Sequence, residues 1–228
     1  MKKRIIEIAV SALFLTAVVI TSEWGLKDAA AVDTVDTRHI VVIDPGHGGL
    51  DPGKVGHNGE RESDINLSIA LKLQTLLSDA GYAVVMTRTE DCGLYSENSV
   101  NKKAEDMRER CRIITEAGAE VVISIHQNSF TDTSVHGAQV FYYTHSDKGK
   151  VLAGLIQESI RNTADSGNTR KIKTNNSYYM LVHTPCPTVI VECGFLSNYE
   201  ETAKLVSDDY QMKIAQAILI GIDNFWAE

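Results

Sequence analysis

Two histidines in this 228-residue chain each follow a short run of apolar, mostly β-branched residues. His47 lies in a glycine-rich turn just after residues 40–43, and His126 directly follows residues 121–125. A third run of this kind ends in a carboxylate, Glu192. Such runs are typical of strands that are buried on both faces of a sheet. Two imidazoles and a carboxylate are a ligand set that zinc uses in catalytic sites, with water as the remaining ligand.

The chemistry of such a site is hydrolysis. Bound zinc lowers the pKa of a water molecule to about 7 and polarises a carbonyl group, while a separate carboxylate collects the proton. A purely structural interpretation competes with this one, because a histidine at a strand end is often only a hydrogen-bonded residue of the scaffold. A lone glutamate on a strand can likewise be an ion-pair partner. The spacing of the residues alone leaves both interpretations open.

The elements that must position these side chains alternate along the chain as strand, helix, strand, helix, strand. This alternation predicts a single α/β domain with a largely parallel, twisted sheet and helices on both faces. Since the carboxyl ends of parallel strands meet at one edge, we expect His47 and His126 to lie together there. The active site is therefore predicted at the C-terminal ends of the strands.

The helices carry recognisable start and stop signals. Ser63 or Asp64 is expected to cap the first helix, and Gly81 to end it. The second helix is predicted over residues 104–117, and its many charges favour a solvated face. Further predicted elements are strands over 82–88, 137–143 and 188–192, an irregular mobile loop over 165–177, and helices over 148–163, 200–206 and 210–225.

Composition restricts the class of protein. A hydrophobic content of 43% in a chain of this length indicates one well-buried domain. The net charge of −8 argues against nucleic acid as a partner, since phosphate-binding domains have basic faces. The cysteines are even in number, which permits disulfides in an exported chain, although small buried residues are favoured for the last two. They are Cys92, Cys111, Cys186 and Cys193.

The N-terminus has the pattern of a targeting segment. Three basic residues, Lys2, Lys3 and Arg4, precede an apolar run, and alanines at 29–31 offer a cleavage site. This segment is either cleaved or kept as an anchor, and either outcome exports the rest of the chain. The predicted organisation is a signal peptide or N-terminal membrane anchor over 1–31, a lead-in over 32–38 and a catalytic domain over 39–228.

Four segments of the sequence resemble signature segments of a known family. They are DPGHGGLDPG (44–53), ESDINL (62–67), SIHQNS (124–129) and VECGFLSN (191–198). They look like those of the zinc-dependent N-acetylmuramoyl-L-alanine amidases, the amidase 3 family, and occur in the family's order. The resemblance covers residues 40 to 225. The single-domain layout, the N-terminal segment and the run HTPCPT (183–188) resemble the germination-specific members found in spore formers.

The resemblance implies roles for the residues that match its motifs. His47, Glu62 and His126 would hold one Zn²⁺, and Glu192 would be the catalytic carboxylate. Glu60 competes with Glu62 because both lie in one loop, but Glu62 directly precedes the x-D-x-N-L helix start that follows the family's glutamate.

Two further residues are candidates for substrate binding. Arg110 matches an arginine that the family places before the SIH strand, and it either contacts substrate or forms a structural ion pair. Asn128 lies two residues beyond the second histidine. It either hydrogen-bonds substrate or holds its own loop.

The implied reaction is hydrolysis of the amide between the lactyl group of N-acetylmuramic acid and L-alanine in peptidoglycan. In a spore former this would be the first step towards muramic-δ-lactam in the cortex, with a deacetylase acting next. The chain would then be exported, either secreted or anchored on the outer side of the membrane, into the space between the forespore membranes. Alternatives are a vegetative autolysin, an exported zinc peptidase, whose H-E-x-x-H motif is absent, and a non-catalytic wall-binding protein. The presence of every site residue argues against the last of these. Whether an accessory protein must dock is left open.

Overall fold

The computed structural model describes residues 38–228, so the predicted signal or anchor segment lies outside the described residues. The described part contains six strands and six helices. The strands are β1 (Ile40–Pro45), β2 (Ala83–Met86), β3 (Val121–Asn128), β4 (Gln139–Tyr142), β5 (Lys173–Thr174) and β6 (Thr188–Phe195). The helices are α1 (Glu62–Asp79), α2 (Lys102–Glu116), α3 (Asp147–Thr163), α4 (Tyr179–His183), α5 (Tyr199–Leu205) and α6 (Asp208–Ala227).

The strands form one sheet in the order β2-β1-β3-β6-β4-β5. Strands β2, β1, β3 and β6 pair in parallel, β4 runs antiparallel to β6, and β5 is parallel to β4. The expectation of a largely parallel α/β sheet is therefore confirmed. Because β1 and β3 are parallel neighbours, both histidines lie at the same end of the sheet, where the carboxyl ends of these strands meet, as predicted.

Helices cover both faces of the sheet because the strands alternate their side chains between two apolar layers. Val41 and Ile43 face the larger core, which is shared with α1, α3 and α6. Val42, between them, belongs to a second core with Ile114 of α2 and Met180 of α4. A strand that is buried on both faces needs apolar side chains on each of them, which explains the uninterrupted apolar runs in the sequence.

Helix α1 begins two to three residues earlier than predicted and without a side-chain cap. Its N-cap is Arg61, and Ser63 lies inside the first turn. The amide of Glu62 donates to the carbonyl of Lys54, at 2.8 Å, and that of Ser63 to Pro52, at 3.0 Å. The preceding loop thus satisfies these amides through its backbone, so no serine or aspartate cap is needed. The predicted stop is confirmed, since Gly81 follows the helix with φ +91°.

Three other expectations are corrected or resolved. The charges of α2 do not all face solvent, because Asp106 and Arg110 are buried. The segment 165–177 is not irregular throughout, since it contains β5 and is tied to the domain by Asn168, which donates to the carbonyl of Ala138 at 2.8 Å. All four cysteines are free thiols, and Cys193 is fully buried in the larger core.

Within residues 38–228, none of the helices combines the length and apolar character that a membrane crossing requires.

Candidate functional site

A cleft of about 570 Å³ opens at the carboxyl edge of β1, β3 and β6. Every site residue predicted from the sequence lines it. These are His47, Glu62, His126, Glu192, Arg110 and Asn128. The strand ends therefore bring together side chains that are up to 145 positions apart in the sequence.

Three of these side chains form a group that could hold a metal ion. Nε2 of His47 lies 3.2 Å from Oε1 of Glu62, and Nδ1 of His126 lies 3.0 Å from the same oxygen. The three ligand atoms all lie within 4.8 Å of one another. Donors held at zinc-ligand bond lengths around one tetrahedral centre are roughly 3.3 Å apart, so the spacing of this group fits such an ion.

Two glycines leave the space that this group occupies. A Cβ atom at Gly46 would lie 2.2 Å from the ring of His126. One at Gly53, whose φ is +67°, would lie 2.5 Å from Oε2 of Glu62. A side chain at either position would displace one of the three donors.

Glu62 is held in place by backbone amides. Its Oε2 accepts a hydrogen bond from the amide of Lys54, at 2.8 Å, and its Oε1 from that of Gln127, at 3.0 Å. Burial alone would raise the pKa of this carboxyl, but its hydrogen bonds with His126 and His47 hold the pKa well below the usual range. Glu62 is therefore anionic and could serve as a charged metal ligand. Glu60 is not part of the group, because its carboxylate accepts hydrogen bonds from Asn58 in its own loop.

Glu192 lies on β6 directly beside His126 in the parallel register of β3 and β6. Its side chain is buried, with 7% of the residue exposed, and Oε2 has no hydrogen-bond partner among the described residues. Burial raises the pKa of this carboxyl to about 7, the negative charge of Glu62 adds to the effect, and the charge of His126 opposes it. A carboxyl with a pKa near 7 can both accept and release a proton at neutral pH.

The ring of His47 has a charged neighbour on its other side. Its Nδ1 lies 2.9 Å from Oδ2 of Asp51, although the pair does not have the alignment of a hydrogen bond. The same carboxylate contacts the ammonium of Lys103. Carboxylates beside the outer nitrogen of a ligand histidine orient the ring, and Asp51 is placed to do so here.

Of the two predicted substrate-binding residues, Arg110 forms a buried ion pair. Its guanidinium contacts the carboxylates of Asp44 and Asp106, each at 2.7 Å. Its remaining N–H groups donate to carbonyls of the turn that carries His47. Asn128 follows a bulge in β3, and its Oδ1 accepts from the amide of Ser129 at 2.8 Å.

One wall of the cleft was missed by sequence reasoning. Tyr178, Tyr179 and Met180 line the cleft from the start of α4. This helix has only five residues, too few for a helical periodicity to be read. A local signal does exist, because Asn175 accepts hydrogen bonds from the amides of Ser177 and Tyr178 and so builds the turn before the helix.

The sequence and fold are similar to those of known proteins. The chain is 36% identical over 192 residues to the germination-specific N-acetylmuramoyl-L-alanine amidase of Bacillus subtilis, covering 83% of this chain and 80% of that protein. It is also similar to the CwlD amidase from Clostridioides difficile, solved in complex with the GerS lipoprotein. That match has a TM-score of 0.81 and 38% identity, over 83% of this chain and 99% of the other.

A third similar structure is the catalytic domain of CwlV, an N-acetylmuramoyl-L-alanine amidase from Bacillus (Paenibacillus) polymyxa var. colistinus. Its TM-score is 0.73 at 30% identity, over 83% of this chain and 98% of the other. The family model described as N-acetylmuramoyl-L-alanine amidase matches residues 41–224, which is nearly the whole described domain. The chain therefore belongs to the Amidase 3 family and is an N-acetylmuramoyl-L-alanine amidase.

Proposed function

We propose that the chain hydrolyses the lactyl–L-alanine amide of peptidoglycan with a single zinc ion held by His47, Glu62 and His126. The observation that carries this proposal is the group of three donors beside a buried carboxylate that lacks a hydrogen-bond partner. Two neutral imidazoles and one anionic carboxylate suit zinc, and leave a position for water. The glycines at 46 and 53 preserve the space that the group needs.

When bound, zinc supplies a Lewis acid that polarises the scissile carbonyl and lowers the pKa of a water molecule. Glu192 then works as the proton carrier. Its carboxylate accepts the proton of the attacking water and, as the C–N bond breaks, delivers it to the leaving amine of L-alanine. In the metal-free protein burial raises the pKa of this carboxyl to about 7, and the positive charge of a bound zinc ion would lower the pKa and favour the carboxylate that accepts the proton.

We further propose that the substrate is spore-cortex peptidoglycan, where removal of the stem peptide would be the first step towards muramic-δ-lactam. The similarity to the germination-specific amidase of Bacillus subtilis supports this choice over a vegetative autolysin. Action on peptidoglycan requires export, so residues 1–31 are proposed to be the signal peptide or membrane anchor and residues 39–228 the catalytic domain.

The test is mass spectrometry of cortex and vegetative peptidoglycan after incubation with the purified chain and digestion by a muramidase. We expect muramic residues without a peptide and stem peptides with a free N-terminal L-alanine, chiefly from cortex. Release of a C-terminal amino acid instead would identify a peptidase and overturn the proposal. Addition of a muramic deacetylase is expected to yield the lactam only when the amidase is also present.

A matched pair of variants tests the metal assignment. Glu62→Gln is expected to lose bound zinc and activity, whereas Glu60→Gln, two residues away and outside the group, is expected to keep both. Equal zinc content in the two variants would remove Glu62 from the ligand set. The CwlD amidase from Clostridioides difficile was solved with a lipoprotein, so zinc is measured for this chain both alone and with candidate partners.

A further inference from the structure

The turn that carries His47 has a backbone conformation that non-glycine residues rarely adopt. His47 has φ +63°, and it alone among the described non-glycine residues has a positive φ. Such a conformation is strained for a residue with a side chain and persists only where its surroundings enforce it. The question is which contacts hold this turn.

Arg110 reaches the turn from helix α2. Only 1% of this residue is exposed. Its Nη1 donates to the carbonyl of Pro45 at 2.8 Å, and its Nη2 donates to the carbonyl of His47 itself at 2.7 Å. One guanidinium therefore spans the strand end and the residue with positive φ.

Arg88 reaches the same turn from the segment after β2. Only 3% of it is exposed. Its Nε donates to the carbonyl of Pro45, at 2.9 Å, and its Nη2 to that of Gly46, at 3.0 Å. The same Nη2 also donates to the carbonyl of Ser63 at 2.9 Å, directly after Glu62. This guanidinium thus joins the His47 turn to the start of α1.

We propose that Arg110 and Arg88 are positioning residues that set the affinity of the metal centre. The two guanidiniums bind three consecutive carbonyls, those of Pro45, Gly46 and His47. They thereby fix the peptide planes on either side of His47 and hold its ring towards Glu62 and His126. This inference rests on the proposed zinc binding and extends it to residues that touch neither metal nor substrate.

Arginine suits this role better than lysine. Its planar fork presents several N–H groups in fixed directions and can bind two carbonyls at once, whereas an ammonium is a compact point charge. Arg110 also has two carboxylate partners, Asp44 and Asp106, which compensate its buried charge. Arg88 has no carboxylate within ion-pair distance among the described residues, and its hydrogen bonds are all donated to backbone carbonyls.

The experiment measures the zinc dissociation constant of the full chain by competition with a chelator, for wild type, Arg110→Lys and Arg88→Lys. The matched control is Arg161→Lys. Arg161 also binds two backbone carbonyls, those of Asn168 and Arg170, but in a loop that does not line the cleft. Thermal unfolding of the metal-free proteins, prepared with a chelator, and the visible spectrum of the cobalt-substituted proteins are recorded in parallel.

We expect Arg110→Lys and Arg88→Lys to weaken zinc binding about 10- to 100-fold, the range found when residues that orient metal ligands are changed. Their cobalt spectra should change, because the ring of His47 is displaced. Arg161→Lys should lower thermal stability and leave zinc affinity and spectrum unaltered. If Arg110→Lys does not fold, Arg88→Lys gives the same comparison without loss of a carboxylate pair.

Two results would overturn the inference in distinguishable ways. Zinc affinities of Arg110→Lys and Arg88→Lys within twofold of wild type, with lowered thermal stability, would show that the guanidiniums only stabilise the fold. A wild-type chain that binds no zinc would instead overturn the proposed function, and the inference with it.

Discussion

His47 and His126 reach one cluster from two differently built regions. His126 belongs to β3, whose backbone is hydrogen-bonded to β1 on one side and β6 on the other, so the sheet itself fixes its position. His47 lies two residues beyond β1, in a turn with positive φ that buried side chains hold in place. The position of a side chain on a strand is fixed by the hydrogen bonds of the sheet. The position of a side chain on a turn is fixed by the residues that hydrogen-bond to the turn.

A substitution in the region around His126, which the strands hold in place, should have the largest effect on catalysis. Glu192→Gln is expected to lower kcat/KM by about 10²–10⁴-fold, because it removes the proton carrier while zinc stays bound. Product release from peptidoglycan and zinc content are measured on the same samples. Activity within tenfold of wild type would assign the proton transfer to another residue.

The same variant has a readout in the metal-free protein. The folded pKa of Glu192, about 7, lies above its ordinary value of 4.5. Its contribution to stability is therefore present below about pH 4.5 and lost as pH rises through 7. Metal-free Glu192→Gln should be more stable than wild type at pH 8, as measured by urea unfolding.

Gly46 is where the two regions touch, so Gly46→Ala should disturb both histidines. Its Cβ would lie 2.2 Å from the ring of His126, and it belongs to the turn of His47. We expect loss of zinc binding and of activity. Gly154→Ala is the control, since Gly154 lies within α3 with nothing near its Cβ, and this change should raise stability by about 0.5–1 kcal/mol.

Acid should weaken the ion pair between Asp44 and Arg110, which supports the turn that carries His47. Burial alone would raise the pKa of Asp44, but the charge of Arg110 and hydrogen bonds from Ser124 and Thr87 lower it from 3.8 to about 2. This stabilisation is present above about pH 4 and is lost as pH falls towards 2, an effect of about 2 kcal/mol.

Urea unfolding of the metal-free protein at several pH values measures this loss. Asp44→Asn should be less stable than wild type at pH 7 and should lack this part of the pH dependence. Parallel pH profiles for the two proteins would show that the ionised Asp44 does not contribute to the stability of the fold.

A change far from both regions should leave the site intact. Ser146 caps α3 by accepting a hydrogen bond from the amide of Gly149 at 3.0 Å. Ser146→Ala is expected to cost about 1 kcal/mol of unfolding free energy. Zinc affinity and activity should match those of wild type. A loss of zinc affinity here would mean that global stability, rather than local contacts, governs the metal centre.

The two regions also differ in how far the sequence reveals them. The run of β-branched residues before His126 predicts a buried strand, and strand order then places that side chain at the carboxyl edge. The contacts that hold the turn of His47 could not be predicted in this way. Arg110 lies in a helix whose charges favour a solvated face, and its burial depends on Asp44, which is 66 positions away.

Hydrophobic periodicity and capping residues also failed to reveal some supporting elements. Helix α4 is too short to show a period, yet it supplies a wall of the cleft. The start of α1 is capped by backbone carbonyls of the preceding loop, a contact that no residue type signals. The family resemblance selected Glu62 over Glu60 where spacing alone left both, and the structure brings Glu62 to the two histidines.

The central claim is that one zinc ion is held by one atom from each of three residues. Its most direct test is a crystal structure of the zinc-loaded protein with anomalous diffraction measured on both sides of the zinc absorption edge. The account predicts one strong peak about 2.0–2.2 Å from Nε2 of His47, Nδ1 of His126 and a carboxylate oxygen of Glu62. A peak at other residues, or none in protein that cleaves peptidoglycan at full rate, would contradict it.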